Sequence, residues 1–156
     1  MNDRIEQDLA REELTIASDS KRIAAYFLDE TLIGVMAIVA LWDRFAAATN
    51  SSDPIAQIAA IETLIASNFI WIALFHIAYH TIFVALYGAT LGKMWQRIAV
   101  IEIASLSKPS FRVALTRSLT RVVSDLCLAF GFVWAFFNPL RQTWHDKISG
   151  AIVINV

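Results

Sequence analysis

Residues Leu64 to Tyr87 read LIASNFIWIALFHIAYHTIFVALY, and this continuous apolar stretch decides the fold class. A helix of about 24 residues is long enough to cross the roughly 30 Å hydrocarbon core of a bilayer. The whole chain is 57% hydrophobic and only 17% charged, whereas soluble domains average roughly 45–50% apolar and 25% charged residues. The sequence therefore predicts an all-α membrane protein.

Two further apolar stretches lie on either side of this central span. The upstream one runs from about Arg22 to Trp42 and the downstream one from Val122 to Leu140, where Asp125 and Gly131 interrupt it. Between the central and downstream spans, Ser110 to Arg121 alternates arginines with apolar residues, which is typical of an amphipathic helix in the headgroup region. We therefore predict about three transmembrane helices, of which the third is the least regular.

Two segments rich in β-branched residues predict a small β element. They are Arg97 to Ile103 and the tail Ala151 to Val156, and we expect them to pair because unpaired strand edges promote aggregation. Pairing would require the third span to bend back as a broken or re-entrant segment, which is tolerated only when it is buried in protein or lines water. A simple third crossing would instead put the tail on the opposite side, so two topologies stay open.

The distribution of basic residues predicts the orientation. Cations are plentiful before the first span and after the second, and only Arg44 lies between these spans. They are Arg4, Arg11, Lys21 and Arg22 before the first span, and Lys93, Arg97, Lys108, Arg112, Arg117 and Arg121 after the second. By the positive-inside rule the N-terminus is cytoplasmic. We divide the chain into a polar, solvated arm over residues 1–20 and a membrane domain over residues 21–156, and we expect it in the bacterial inner membrane.

Two adjacent carboxylates, Asp29 and Glu30, lie inside the first span. An ionisable group in hydrocarbon costs about 2.5 kcal/mol or more, so such groups usually face protein or water and mark functional candidates. Adjacent helical positions are rotated by about 100°, so the two side chains must meet different neighbours. We expect Asp29 to pair with Arg117, Arg121 or Lys93, either as a structural ion pair or as a transport site.

Two histidines share one face of the central span. His76 and His80 are four residues apart, a spacing that permits interhelical hydrogen bonding, proton relay, or metal or haem ligation. No further ligand is adjacent in sequence, so we assign no metal and no cofactor. His145-Asp146 resembles half of a catalytic triad, but no serine elbow or glycine-rich phosphate loop accompanies it, and we predict no enzymatic activity.

Several motifs in order resemble the RDD family of small integral membrane proteins. They are Arg22 to Asp29, the Thr90-Leu-Gly-Lys93 turn, Arg117, and Arg141 to Gly150 followed by Ala-Ile-Val-Ile. The arginine and two aspartates of the family name map to Arg22, Asp29 and Asp146. The resemblance implies a membrane protein, for which transport, including sodium/proton exchange, has been proposed in some members.

Arg22 and Asp29 are seven residues apart on one helix stripe, about 10 Å along the axis, so we expect them not to pair directly. For Asp146 we expect an anchoring role in the tail, as a helix cap or in a pair with Arg117 or Arg141. Its alternative role is the cytoplasmic end of an ion path.

Two functions remain open. In the first, the chain is a transporter or transporter subunit that uses intramembrane carboxylates, with monovalent cation/proton exchange as one expected activity. In the second, it is a scaffold or accessory subunit that binds other membrane proteins. With about three spans and no visible internal repeat, a transporter would need to oligomerise. The expected partners are the lipid bilayer and a second copy or another membrane protein. A net charge of −1 and the absence of a basic stripe argue against nucleic acid.

Overall fold

Two long antiparallel helices form the frame of the computed structural model, which describes residues 2–126 and 140–156. They are α2 (Asp19–Ala40) and α4 (Pro54–Tyr87), joined by the short helix α3 (Trp42–Ala48). Both are long and apolar enough to cross a membrane, which confirms that the first two predicted spans are apolar helices of membrane-spanning length. Most of the predicted third span, residues 127–139, lies outside the described residues, so the path of this span stays a prediction.

The ends of α4 follow from local sequence. Asp53 accepts a hydrogen bond from the Ile55 N–H at 3.0 Å, Pro54 occupies the first turn, and Gly88 ends the helix with φ of 75°. These are a side-chain N-cap, a pre-set first φ angle and a left-handed C-cap. The 34 residues of α4 extend about 51 Å at 1.5 Å per residue. The helix therefore exceeds a roughly 30 Å hydrocarbon core and continues into the layer formed by the sheet.

A two-stranded antiparallel sheet lies at the Asp19 end of α2 and the Tyr87 end of α4. Strand β1 (Ile98–Glu102) pairs with β2 (Ala151–Asn155), with Val100 opposite Val153. This confirms the predicted pairing and places the tail beside β1. A simple crossing with the tail on the opposite side is therefore wrong.

The remaining helices pack around this sheet. The short helix α5 (Leu91–Trp95) lies against α2, α6 (Phe111–Leu126) packs along α4, and α7 (Trp144–Ser149) packs on α6 just before β2. Arg117 and Arg121 of α6 are 3% and 2% exposed. Both reach carboxylates inside the protein, whereas the headgroup placement of this helix stays a prediction.

The N-terminal arm belongs to this layer as well. Helix α1 (Asn2–Arg11) buries Leu9, Ile16 forms a β-bridge with Ile154, and the Ala17 N–H donates to the Val153 carbonyl. The expectation of a wholly solvated arm is therefore wrong, since its apolar residues cover the tail strand. The core lies between the sheet and the helix ends, and it comprises Ala17, Ala25, Val84, Ile98, Val100, Ala114, Ala151 and Val153.

Candidate functional site

Asp29 is completely buried and joins α2 to α4 and α5. Its Oδ1 accepts hydrogen bonds from the Tyr79 hydroxyl and the Gly92 N–H, both at 2.8 Å, and its Oδ2 accepts one from the Thr90 hydroxyl at 2.6 Å. These partners are neutral donors, so the expected direct pairing with Arg117, Arg121 or Lys93 is wrong. Hydrogen bonds to a charged acceptor contribute about 1.5–3 kcal/mol, and three of them fix this carboxylate in place.

Gly92 permits the close contact between α5 and α2. A Cβ at this position would lie 2.3 Å from the Ala25 carbonyl oxygen and 2.9 Å from Asp29 Oδ1. Any larger residue would separate the two helices and break the hydrogen bond from the Gly92 N–H. The glycine is therefore required by the approach of the backbone to Asp29.

Lys93 is buried beside the same turn. Its Nζ lies 3.5 Å from the Thr90 Oγ1, and its side chain lines a small cavity of about 60 Å³ together with Arg22, Arg117 and Asp146. Burial, together with the nearby guanidinium groups of Arg117 and Arg121, lowers the pKa of Lys93 to about 7 against the opposing effect of Asp29. Lys93 thus contacts Asp29 through Thr90 rather than directly.

Asp146 is the centre of a buried ion-pair network. Arg117 contacts its Oδ1 at 2.7 Å and Arg22 NH1 lies 3.5 Å from its Oδ2. Asp146 also forms a capping box with Thr143 at the start of α7. Burial by itself would raise the pKa of this carboxyl, but Arg117, with His145 and Arg22, holds the pKa well below its usual range.

These contacts confirm that Asp146 anchors the tail and caps a helix, and that Arg117 is its partner. Arg141 is not a partner of Asp146, because its NH1 pairs with Asp19 at 3.6 Å. The contact with Arg22 was not predicted. Arg22 also donates to the carbonyls of Arg141 and Val153, so it joins the start of α2 to the tail. Arg22 and Asp29 do not pair directly, as expected.

Glu30 faces a different set of neighbours, which we call the Glu30 cluster: Glu30, His76, His80, Arg121 and Asp125. Glu30 Oε1 lies 2.9 Å from His76 Nε2 and accepts a hydrogen bond from Arg121 NH2 at 3.0 Å. The Arg121 Nε lies 3.8 Å from Asp125 Oδ2. Three helices, α2, α4 and α6, therefore contribute ionisable groups to one place where they meet, and the interhelical hydrogen bond predicted for His76 is confirmed.

His80 is the member of this cluster whose two ring nitrogens both lack a hydrogen-bond partner among the described residues. It is fully buried. Its ring centroid lies 4.5 Å from that of His76. One ligand atom from each of Glu30, His76 and His80 lies within 4.8 Å of the other two. Asp125 Oδ1 and the Ser124 hydroxyl are likewise buried without a partner among the described residues.

Sequence reasoning missed the donors around Asp29. Tyr79, Thr90 and Gly92 lie far from Asp29 in sequence, and a tyrosine in an apolar span gives no separate signal. The turn containing Thr90 and Gly92 did stand out as a helix break. A hydroxyl residue two positions before a glycine in such a turn is the feature that could have suggested carboxylate binding.

Comparison with known proteins agrees with this description. The model of the RDD family matches residues 16–150. An uncharacterized protein of Rickettsia prowazekii (strain Madrid E) is 28% identical over 67 residues, which are 43% of this chain and 36% of that protein. The match thus spans about a third of the relative's length. No solved structure matches the chain.

Proposed function

Since the chain belongs to the RDD family and carries two apolar helices of membrane-spanning length, we propose that it is an ion-transport protein or a transporter subunit. The proposed ion-binding site is the Glu30 cluster, which exchanges protons with a monovalent cation. Glu30 accepts the ion or proton, and His76 and His80 relay protons. Asp29 and Asp146 have structural roles in this proposal.

The observation that carries the proposal is that buried polar atoms of this cluster, between two apolar helices, have no hydrogen-bond partner among the described residues. Buried polar groups in proteins are normally hydrogen-bonded, and each exception requires an explanation. Histidine titrates near neutral pH and is suited to proton relay. His80, without a partner in the described chain, lies beside a hydrogen-bonded pair of His76 and Glu30. Groups of this kind can bind and release an ion at small structural cost.

The surface of the two long helices supports an oligomer. Large apolar side chains on both helices are exposed, including Val39 at 68%, Ile70 at 69% and Trp71 at 73%. Lipid covers such faces, and so does a second copy of the chain. Because transport sites normally lie between repeats, we propose that copies of the chain, or this chain and another membrane protein, enclose the pathway together.

The proposed location is the bacterial inner membrane, with the N-terminus and the sheet on the cytoplasmic side. The positive-inside distribution supports this orientation. The test replaces Cys127 with serine and introduces single cysteines at Ser18, Ser51 and Ser107. Only position 51 should react with an impermeant maleimide added outside sealed cells. Labelling of position 18 or 107 from outside would reverse the orientation.

Flux measurements test the transport role directly. Purified protein is reconstituted in vesicles, and Na⁺-driven and K⁺-driven proton movement is followed with a pH-sensitive dye. Glu30→Gln should abolish exchange while the protein stays folded. Glu62→Gln is the matched control, since Glu62 lies on the exposed surface of α4. A wild type that moves no Na⁺, K⁺ or H⁺, or a Glu30→Gln variant with normal exchange, would overturn the proposal.

An accessory or scaffold role is the second candidate. A cavity of about 610 Å³ opens between α2, α3 and α4 at the end remote from the sheet. Its lining is mainly apolar and includes Trp42, Trp71 and Phe75, with Arg44 donating to Asn68 at 3.1 Å. A groove of this composition suits an apolar segment of another membrane protein. Photo-crosslinking from position 71 in cells, combined with absence of flux, would favour this role.

A further inference from the structure

We infer that Glu30, His76 and His80 form a binding site for a divalent transition-metal ion of the zinc class. The inference goes beyond the proposed function: it concerns the same cluster, but metal binding does not require that the protein transports anything. Two features support the site: the placement of the three donors, and the unsatisfied state of His80.

The helices place the donors together. His76 and His80 are one turn apart on α4, so their imidazoles project from one face, and α2 brings Glu30 against that face with its Oε1 2.9 Å from His76 Nε2. The three possible ligand atoms lie within 4.8 Å of one another. Ligands of one tetrahedral zinc ion, at about 2.0–2.2 Å from the metal, are separated by less than this. Side-chain rotations would close the remaining distance.

His80 gives the independent observation. The residue is 0% exposed, and both its ring nitrogens lack partners in the described chain. Burying a polar group without a hydrogen bond is unfavourable. A metal ion bound by one nitrogen would supply the missing interaction. His76 Nδ1 is also buried without a partner among the described residues. His76 can therefore bind the metal through one ring nitrogen while the other keeps a contact within the site.

The donor set selects the class of metal. Two imidazole nitrogens and one carboxylate oxygen suit zinc and its neighbours in the first transition row, whereas Mg²⁺ and Ca²⁺ prefer oxygen ligands alone. Three protein ligands leave a fourth position open, as in catalytic or exchangeable zinc sites. The carboxylates of Glu30 and Asp125, which both contact the guanidinium of Arg121, add negative charge that attracts a divalent cation. Arg121, bonded to Glu30 at 3.0 Å, would orient the carboxylate.

The test uses the full chain purified in detergent with a chelator and then titrated with Co²⁺ and Zn²⁺. Wild type should bind one ion per chain, and Co²⁺ should show the intense visible absorption of tetrahedral nitrogen and oxygen coordination. His80→Gln and His76→Gln should each weaken binding by about tenfold or more. Glu62→Gln should bind like wild type. Circular dichroism identifies any variant that fails to fold.

A second readout is thermal unfolding with and without Zn²⁺. A ligand that binds only the folded state raises the unfolding temperature, so Zn²⁺ should stabilise wild type and Glu62→Gln but not His80→Gln. A wild type that binds neither ion, or folded histidine variants with unchanged affinity, would overturn the inference. Proton exchange in a chelated, metal-free protein that binds no added Zn²⁺ would overturn the metal site and keep the transport role. Stoichiometric metal binding without flux would support the metal site and overturn the transport role.

Discussion

Asp29 and Glu30 are consecutive in α2, but their carboxylates enter different environments. Asp29 accepts three hydrogen bonds from fixed neutral donors and is fully buried. Glu30 has a side chain that is 33% exposed, and it faces a histidine and an arginine. A rotation of about 100° between adjacent helical positions therefore separates a structural carboxylate from one that remains able to exchange its partner.

Asp146 resembles Asp29 rather than Glu30. Arg117, Arg22 and the Thr143 cap satisfy its oxygens. Both aspartates of the family triad are thus fully hydrogen-bonded. Buried polar atoms without a hydrogen-bond partner in the described chain lie instead in the Glu30 cluster. The comparison indicates that hydrogen-bond satisfaction, rather than burial of charge by itself, distinguishes structural from functional candidates. Five predictions test it, starting with the largest expected loss of stability.

Removal of Asp146 should have the largest effect. Asp146→Ala leaves the buried cations Arg117 and Arg22 without their partner, and breaking a buried pair in this way costs about 3–5 kcal/mol. Thermal unfolding in detergent should show a loss of this size or an unfolded protein. Asp43→Ala, at an exposed position of α3, is the control and should unfold like wild type. If Asp146→Ala lowers the free energy of unfolding by less than about 1 kcal/mol, Asp146 is not a structural carboxylate and belongs in the same class as Glu30.

Acid should reproduce this loss in the wild type. The pKa of Asp146 is lower in the folded state than in the unfolded chain, so its stabilisation is present above the ordinary carboxyl pKa of about 3.9. It is lost as the pH falls from there toward the folded-state value. Asp146→Asn should lack this component of the acid sensitivity.

Gly92→Ala should have the next largest effect. The added methyl group would lie 2.3 Å from the Ala25 backbone oxygen, and overpacking of this kind costs about 1–3 kcal/mol or more. Gly34→Ala in α2, the helix against which α5 packs, is the matched control, because nothing lies within 4 Å of a Cβ there. If both variants unfold at the wild-type temperature, the contact between α5 and Asp29 does not stabilise the fold.

Much of this architecture was predictable, since hydropathy gives the two long helices and β-branched patterning gives the strand pair. Asp53-Pro54 and Gly88 also mark the ends of α4. The site was predicted less well. Neutral donors around Asp29 and the Arg22–Asp146 contact join positions that are 50 to 124 residues apart, and a local pattern does not specify which distant residue a donor meets. The spacing of the arginines in Ser110 to Arg121 shows that this helix has a polar and an apolar face. It does not show whether Arg117 and Arg121 contact lipid phosphate or protein carboxylate.

The fourth prediction concerns Lys93 and pH. Its pKa is about 7 in the folded protein and about 10.4 in an unfolded chain, so the unfolded state binds an extra proton between these values. Stability should therefore rise as the pH increases from about 7 toward 10. Lys93→Met should remove this component of the slope, and Lys147→Met, at an exposed position, should keep it. If the stability of Lys93→Met still rises with pH in this range, another titratable group causes the rise.

The smallest expected effect on stability is that of His80→Leu, although the side chain is fully buried. Replacement of a hydrogen-bonded buried group usually leaves its partner unsatisfied and is costly. His80 leaves no such partner in the described chain, and leucine fills much of the same space without a desolvation cost. The metal-free variant should therefore unfold within about 1 kcal/mol of wild type or be more stable, and added Zn²⁺ should not stabilise it. Proton exchange should be lost, because the relay lacks one imidazole. If the metal-free variant is destabilised as much as Asp146→Ala, His80 is a structural residue. Hydrogen-bond satisfaction would then not separate structural from functional groups, even at the histidine whose two ring nitrogens lack partners in the described chain.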